Sequence, residues 1–245
     1  MRMGFETVSL VIPVHNEVSN IETVVRGFYN EMNERLNLQI VVAEDGSTDG
    51  TKEVLKKLSK EIPMIVVMED IRLGYSKGLK RGLQEATGEY VLFCDSDGQH
   101  YPSDLWKLYD AREGYDMVDG WRVRRADTTF RKIMSRMFQI LARIIFGIKG
   151  LKDITAPYRL VKRELAMSVA NQVSYMKESF WTEFTIRATA YGARIHEVPV
   201  RHRLRLSGDT VVYKPKKIPG IVYNQFKGML KLRGELKVNS TKYFL

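Results

Sequence analysis

The sequence predicts an α/β fold, a mostly parallel sheet flanked by helices, with an amphipathic basic extension at the C-terminus. Three observations predict it. Short apolar runs rich in β-branched and aromatic residues alternate with helical patterns through the first hundred residues. Three of the four runs end in loops that carry carboxylates. The basic, amphipathic character is concentrated after residue 120. Strands alternating with helices imply parallel, right-handed connections, and these gather the acidic loops on one edge.

The elements follow in order. Val8 to Ile12 is the first strand and stops at the polar turn Pro13-Val14-His15-Asn16-Glu17. A helical pattern then sets Ile21, Val24, Val25 and Phe28 at core spacing. Gln39 to Ala43 is the second strand, running into Glu44-Asp45-Gly46-Ser47-Thr48-Asp49-Gly50-Thr51. The glycines permit a tight turn, and Asp49 or Thr51 suits the cap of a helix carrying Val54, Leu55 and Leu58. Met64 to Met68 is a third strand, Ser76 to Ala86 a helix ending at Gly88, and Tyr90 to Phe93 a fourth strand.

That fourth strand delivers Cys94-Asp95-Ser96-Asp97-Gly98-Gln99, two carboxylates one residue apart at a strand's end. Open parallel sheets bind ligands at this edge. Mg²⁺ or Mn²⁺ held by one or two carboxylates and completed by a substrate diphosphate suits such a pair. An Asp-x-Asp by itself is as readily a solvated loop. Clustering favours the cation, because carboxylates gathered on one edge repel unless a cation or donor-rich ligand sits among them. Caps and turn formers explain Asp49 well, but Asp95 with Asp97 poorly.

Composition narrows the partners. A chain of 245 residues buries one good core, and its net charge of +10 points to an anionic partner: nucleic acid, a membrane surface or phosphorylated substrates. The single cysteine, Cys94, excludes an internal disulfide and suits a reducing compartment. Met1 to Glu6 shows no signal peptide, and no run is apolar over the roughly 18 residues a spanning helix needs. The expectation is a protein on the cytoplasmic face of a membrane, peripheral and without a transmembrane helix.

The basic charge is uneven. Trp121 to Lys149 holds eight Lys/Arg against one acid, and Arg201 to Lys237 ten against two. On a helical wheel, Arg131, Lys132, Ser135, Arg136, Gln139 and Arg143 share an arc of roughly 140°. Ile133, Met134, Met137, Phe138, Ile140, Leu141, Ile144, Ile145 and Ile148 fill about 160° opposite. Such a helix either packs on the domain core or lies at a lipid interface, arginines toward phosphate. Ile218 to Leu232 interleaves apolar residues with Lys227 and Lys231, following Lys214, Lys216 and Lys217. Each cation near anionic lipid adds roughly 1 kcal/mol.

The motifs together resemble those of family 2 glycosyltransferases of the GT-A fold. Ser9 to Glu17, Glu44 to Thr51 and Asp95-Ser96-Asp97 carry the resemblance over residues 8 to 100. Asp97-Gly98-Gln99-His100-Tyr101-Pro102, Arg131 with Ser135-Arg136, Asp153 to Arg159, Glu197 to Val200, and Arg205 with Gly208 and Thr210 are similar to one branch. That branch is the dolichyl-phosphate mannose synthases and related polyprenyl-phosphate hexosyltransferases. The resemblance implies a GT-A catalytic domain over 1–210, with 211–245 the amphipathic basic segment.

It also implies roles. Pro13, His15, Glu17, Ala43, Asp45, Asp95 and Ser96 would line the nucleotide-sugar pocket. Asp95, Asp97 and Gln99 would hold Mg²⁺ or Mn²⁺. Arg122, Arg131, Ser135, Arg205 and Lys214 would bind the acceptor phosphate, with Asp95, Asp97, Arg122 and Arg131 the catalytic set. A polyprenyl phosphate attacks through an oxygen already ionised, so it needs arginines where a sugar hydroxyl would need a base. The implied reaction is inverting transfer from GDP-mannose to dolichyl or another polyprenyl phosphate at a membrane surface. A UDP-sugar donor is the alternative within the class. The alternatives outside it are a glycan hydroxyl acceptor with Glu183 as base, and a nucleic-acid-binding protein, for which no motif is present. Three positions depart from the branch: Glu44 replaces Asp, Arg72-Leu73-Gly74 replaces Asn-x-Gly, and Val211 stands where a lysine is usual, leaving Lys214 to compensate.

Overall fold

The computed structural model describes residues 7–123, 129–206 and 218–242, with Arg131 placed by its backbone. Seven strands form one sheet: β1 Thr7–Val14, β2 Asn37–Glu44, β3 Ile65–Met68, β4 Tyr90–Phe93, β5 Met117–Arg122, β6 Arg159–Lys162 and β7 Ile195–Val200. Their spatial order is β3-β2-β1-β4-β6-β5-β7. β2 and β4 flank β1 in parallel and β3 continues beside β2. β6 opposes both β4 and β5, and β7 runs parallel to β5. Among the described strands only β6 is reversed, so its amino end meets the carboxyl ends of the other six. β1 is followed by β2 and β3 on one side, and the chain then crosses from β3 to β4 on the other side of β1, the switch point at which open sheets form a crevice.

The described residues form eight α-helices: α1 Ile21–Met32, α2 Thr51–Leu58, α3 Tyr75–Gln84, α4 Leu105–Asp110, α5 Thr129–Phe146, α6 Arg163–Gln172, α7 Phe180–Ala190 and α8 Ile218–Lys242. Side chains alternate along the buried strands and fill a layer on each face. Leu10, Ile12, Ile40, Val42 and Leu92 meet Val25 and Phe28 of α1, Leu55 of α2 and Leu108 of α4. Val11, Val41, Val91 and Phe93 meet Leu79 and Leu83 of α3, Val169 of α6 and Phe184 of α7. A third cluster joins Ala142 of α5, Ile186 of α7, and Met229 and Leu232 of α8.

α5 turns one flank inward. Phe138 and Ile145 pack on the third cluster beside Ala142, Gln139 is 7% exposed and donates to Ser135 Oγ, and Arg143 donates to the Lys152 carbonyl. The rest of the apolar arc faces out, with Met137 61% and Ile144 74% exposed, as do Lys132 and Arg136. Val222, Tyr223, Phe226 and Leu230 of α8 are exposed as well. No helix among the described residues is long and apolar enough to cross a membrane.

The segment after β7 is tied down by Asp104, which accepts the Arg201 backbone N–H at 2.6 Å and its Nε at 3.1 Å. Burial alone would raise this carboxyl, but bonds from Arg201 and Lys107 outweigh it and hold the pKa below the usual value. A depressed carboxylate contributes stability above its unfolded pKa and loses it as pH falls through the folded one. Asp104→Asn is therefore expected to cost about 2 kcal/mol at neutral pH and to flatten the acid limb of Tm below about pH 4. A variant with the wild-type acid limb contradicts this.

Candidate active site

The first two acidic loops interlock. Asn16, at φ +55, accepts Thr48 N–H on its side chain at 2.9 Å and donates its own N–H to Ser47 Oγ at 2.9 Å. Glu17 N–H reaches Thr51 Oγ1 and Val18 N–H reaches Asp49 Oδ2. Asp49 Oδ1 also takes the Thr51 N–H at 3.0 Å, closing the start of α2. Gly46 has φ +63, and a Cβ there would lie 2.4 Å from Arg72 N, so glycine is required. Much of the two motifs is thus scaffold.

What the scaffold presents is a short row of groups. Pro13 and Ala43 are register partners at the ends of β1 and β2. His15 Nδ1 is 2.7 Å from the Asp45 carbonyl oxygen. The Asp45 carboxylate accepts the N–H groups of Leu73 at 2.6 Å and Gly74 at 2.9 Å. Glu17 is 8% exposed, accepts from Asn20 Nδ2 at 2.6 Å and pairs with Arg205. Burial and the charge of Asp97 raise its pKa, against the pull of Asn20 and Arg205.

At the end of β4, burial first and the like charge of Asp97 second push the Asp95 carboxyl up to about 7. Asp95 Oδ1 accepts the Tyr75 hydroxyl at 2.9 Å, and that hydroxyl accepts the Trp181 indole N–H at 2.7 Å. Gln99 donates its backbone N–H to Asp97 Oδ1 and its side-chain amide to the Arg203 carbonyl. Ser96 beside them is buried. Residues 201–206 lie over this loop: Arg203 N–H bonds the Gln99 carbonyl at 3.0 Å and Leu206 N–H the Asp97 carbonyl at 3.4 Å. A Cβ on Gly98, at φ +73, would come within 2.4 Å of Leu206.

The arginines arrive pre-aimed. Arg122 ends β5 and donates Nε and Nη2 to Asp153 at 2.8 and 3.1 Å, with Nη2 also 2.8 Å from Thr155 Oγ1. Asp153 is fixed in turn, since Glu197 of β7 accepts its N–H at 2.8 Å and that of Lys152. The Arg122 charge reaches Asp95 and lowers its pKa. Arg205 pairs with Glu17, whose carboxyl also feels the charge of Asp97. Ser135 takes its place on α5 through Gln139. Arg131 lies in the first turns of α5; Lys214, Gly208 and Thr210 lie outside the described residues.

Glu183 does a different job. It is fully buried and accepts the N–H groups of Ser174, Tyr175 and Met176 at 2.7–3.0 Å, plus Arg187 Nε at 2.9 Å. Arg187 then reaches Glu235 at 2.8 Å, anchoring α8.

The profile of glycosyl transferase family 2 matches residues 9–181. The chain belongs to that family. Among curated proteins, this family 2 chain is similar to an undecaprenyl-phosphate 4-deoxy-4-formamido-L-arabinose transferase of Yersinia enterocolitica, 27% identical over 89% of this chain and 65% of that protein. It is similar also to a dolichol-phosphate mannosyltransferase of Pyrococcus furiosus, 28% identical over 83% of this chain and 58% of that protein. The chain thus spans 58–65% of these two relatives. Among solved structures, glucosyl-3-phosphoglycerate synthase from Mycobacterium tuberculosis superposes with a TM-score of 0.69 at 20% identity, covering 94% of this chain and 80% of that one. At that identity the likeness is one of fold, GT-A. The same enzyme was crystallised with Mn²⁺ and UDP-glucose.

A divalent cation fits the family 2 site here as a shared ligand, not a caged one. The charge of Asp97 raises the proton affinity of Asp95, a repulsion a cation relieves. Among the described residues no group of three or more His, Cys, Asp or Glu side chains encloses a metal. The remaining positions would fall to substrate oxygens and water, as is usual for Mg²⁺.

Sequence reasoning missed four contributors. Trp181 donates to Tyr75, which donates to Asp95, and Asp153 and Glu197 aim Arg122. The last two lay in motifs already noted, without a role. Tyr75 carried no signal, being a lone tyrosine after a glycine, 106 residues from its indole partner.

Proposed function

We propose that the chain is a metal-dependent, inverting transferase that moves a hexose from a nucleotide-sugar to a polyprenyl phosphate. The observation that carries the acceptor is the fate of Glu183. A hydroxyl acceptor requires a base, and the carboxylate that resemblance offers has its oxygens committed to three backbone N–H groups and an arginine. A phosphate requires donors instead, and the charge of Arg122 reaches Asp95 while Arg205 pairs with Glu17, which feels Asp97. Both relatives named above are polyprenyl-phosphate sugar transferases by name, while their sugars differ.

In this reading Glu17, Asp45 and the ends of β1 and β2 receive the nucleoside. Asp95 and Asp97, with Gln99, hold the cation, which when bound supplies charge neutralisation for the departing diphosphate. Arg122, Arg131, Arg205 and Ser135 hold the acceptor phosphate for in-line attack on the anomeric carbon. Single displacement inverts that carbon, and the attacking oxygen has no proton to lose.

Arg131→Ala is expected to raise the acceptor KM roughly 10- to 100-fold, the scale of one charged hydrogen bond, with donor KM within twofold. An unchanged acceptor KM contradicts the phosphate role. GDP-mannose is the donor this reading puts first, from the likeness to dolichol-phosphate mannosyltransferase. Calorimetry with GDP and UDP decides the base: UDP binding with none for GDP removes mannose in favour of a UDP-sugar.

The outward apolar stripe of α5 supports attachment to a lipid surface, beside basic residues that suit anionic headgroups. Met137→Glu with Ile144→Glu is expected to cut sedimentation with anionic vesicles severalfold and leave nucleotide binding unchanged. Unaltered sedimentation contradicts a lipid role for this face.

A further inference from the structure

Tyr75 belongs to none of the motifs that mark the family, yet its hydroxyl touches Asp95. The direction of its bonds is fixed by chemistry. An indole N–H can only donate and a phenol has one hydrogen. The 2.7 Å contact therefore runs from Trp181 Nε1 to Tyr75, and the 2.9 Å contact from Tyr75 to Asp95 Oδ1. The bond to Oδ1 fixes the plane of the carboxylate and leaves acceptor capacity for a ligand.

Both ends of this relay are anchored. Trp181 packs edge-on against Phe93 of β4 at 5.0 Å, and the fully buried Arg159 lies 4.5 Å over its ring. Tyr75 opens α3 directly after Gly74, whose φ of +94 and ψ of 153 suit only glycine. That turn is pinned by the two oxygens of Asp45 on Leu73 and Gly74. The nucleoside side of the site and the carboxylate side thus share one support. Packing of Tyr75 against Phe180, with ring centroids 6.2 Å apart, would be met equally by phenylalanine. The hydroxyl is what packing leaves unexplained.

We infer that Tyr75 is a positioning residue for the transfer reaction: its hydroxyl, oriented by Trp181, fixes the Asp95 carboxylate that would hold the divalent cation beside the donor diphosphate. The inference rests on the donor and cation reading above. Groups that orient a ligating carboxylate typically affect metal affinity or activity roughly 10- to 100-fold.

The test is calorimetric titration of the full chain with GDP and UDP, each with and without Mn²⁺, alongside thermal melting. For Tyr75→Phe, metal-free nucleotide affinity stays within about twofold, while the gain conferred by Mn²⁺ falls roughly 10- to 100-fold. Trp181→Phe keeps an aromatic ring and removes the donor, so it reduces the Mn²⁺ gain in the same direction by less. A Tyr75→Phe variant with the full wild-type Mn²⁺ gain overturns the inference alone. Loss of metal-free affinity in parallel with a lower melting temperature also overturns it, making Tyr75 a packing residue. A wild-type chain with no Mn²⁺ gain for either nucleotide overturns the cation reading beneath it.

Discussion

Asp97→Asn lowers the rate of sugar transfer by roughly 10²- to 10³-fold, the scale of removing one preorganised electrostatic group from a transition state. The substitution keeps the shape of the side chain and removes its charge. In the fold Asp97 is a focus of negative potential, since its charge is felt by Asp95 and by Glu17. Removing it lowers the proton affinity of both neighbours and takes away half of the carboxylate pair that a cation would bridge. The fold itself loses little, because the backbone N–H of Gln99 can still bond the asparagine oxygen. Initial rates at saturating donor check the effect, with melting as the control. A loss below about threefold would falsify a charge role for Asp97.

Glu183→Ala destabilises the chain by roughly 3–5 kcal/mol, the cost of leaving one member of a buried ion pair uncompensated. For a chain of this length that is a fall in Tm of about 10 °C. The alanine leaves Arg187, only 1% exposed, with Glu235 as its remaining carboxylate and frees the three N–H groups of Ser174, Tyr175 and Met176. It also loosens the route through Arg187 to Glu235 by which α8 is docked. Turnover per folded molecule is expected to stay within about threefold at a temperature where the variant is folded, since a phosphate acceptor carries no proton to remove. Wild-type melting with a thousandfold lower turnover would make Glu183 a base and restore the glycan hydroxyl as acceptor.

The first half of the fold was legible because its strands are clean apolar runs, with both faces buried in β1 and β4. β1 to β4 and α1 to α3 stand where periodicity put them, with α3 spanning Tyr75–Gln84 against an expected Ser76 to Ala86. β5 to β7 were not legible. β5 carries buried Asp119 and Gly120, and β6 opens on buried Arg159. β7 holds Pro199 near its end, tolerated because β7 is the sheet's edge. α7 is buried on every side over Phe180 to Ala188 and so has no stripe to read. For α5 the wheel gave the polar and apolar arcs but not the flank, drawn from both, that turned inward. That depends on Thr155 and the Lys152 carbonyl, which meet its polar side through contacts local to no single element.

The candidate site divides similarly. The carboxylates sit within short motifs at strand ends, so the topology alone brings Glu17, Asp45, Asp95 and Asp97 to one edge. Their supports come from far along the chain, as in Arg205 on Glu17 and Trp181 behind Tyr75. Such pairings leave no local trace in a sequence.

The most direct test of the central claim is transfer of radiolabelled sugar from GDP-mannose, and in parallel from UDP-sugars, into organic-extractable polyprenyl phosphate, with and without EDTA. The account predicts a labelled lipid product that EDTA abolishes. Confirmed nucleotide binding with no lipid product from any donor would contradict it.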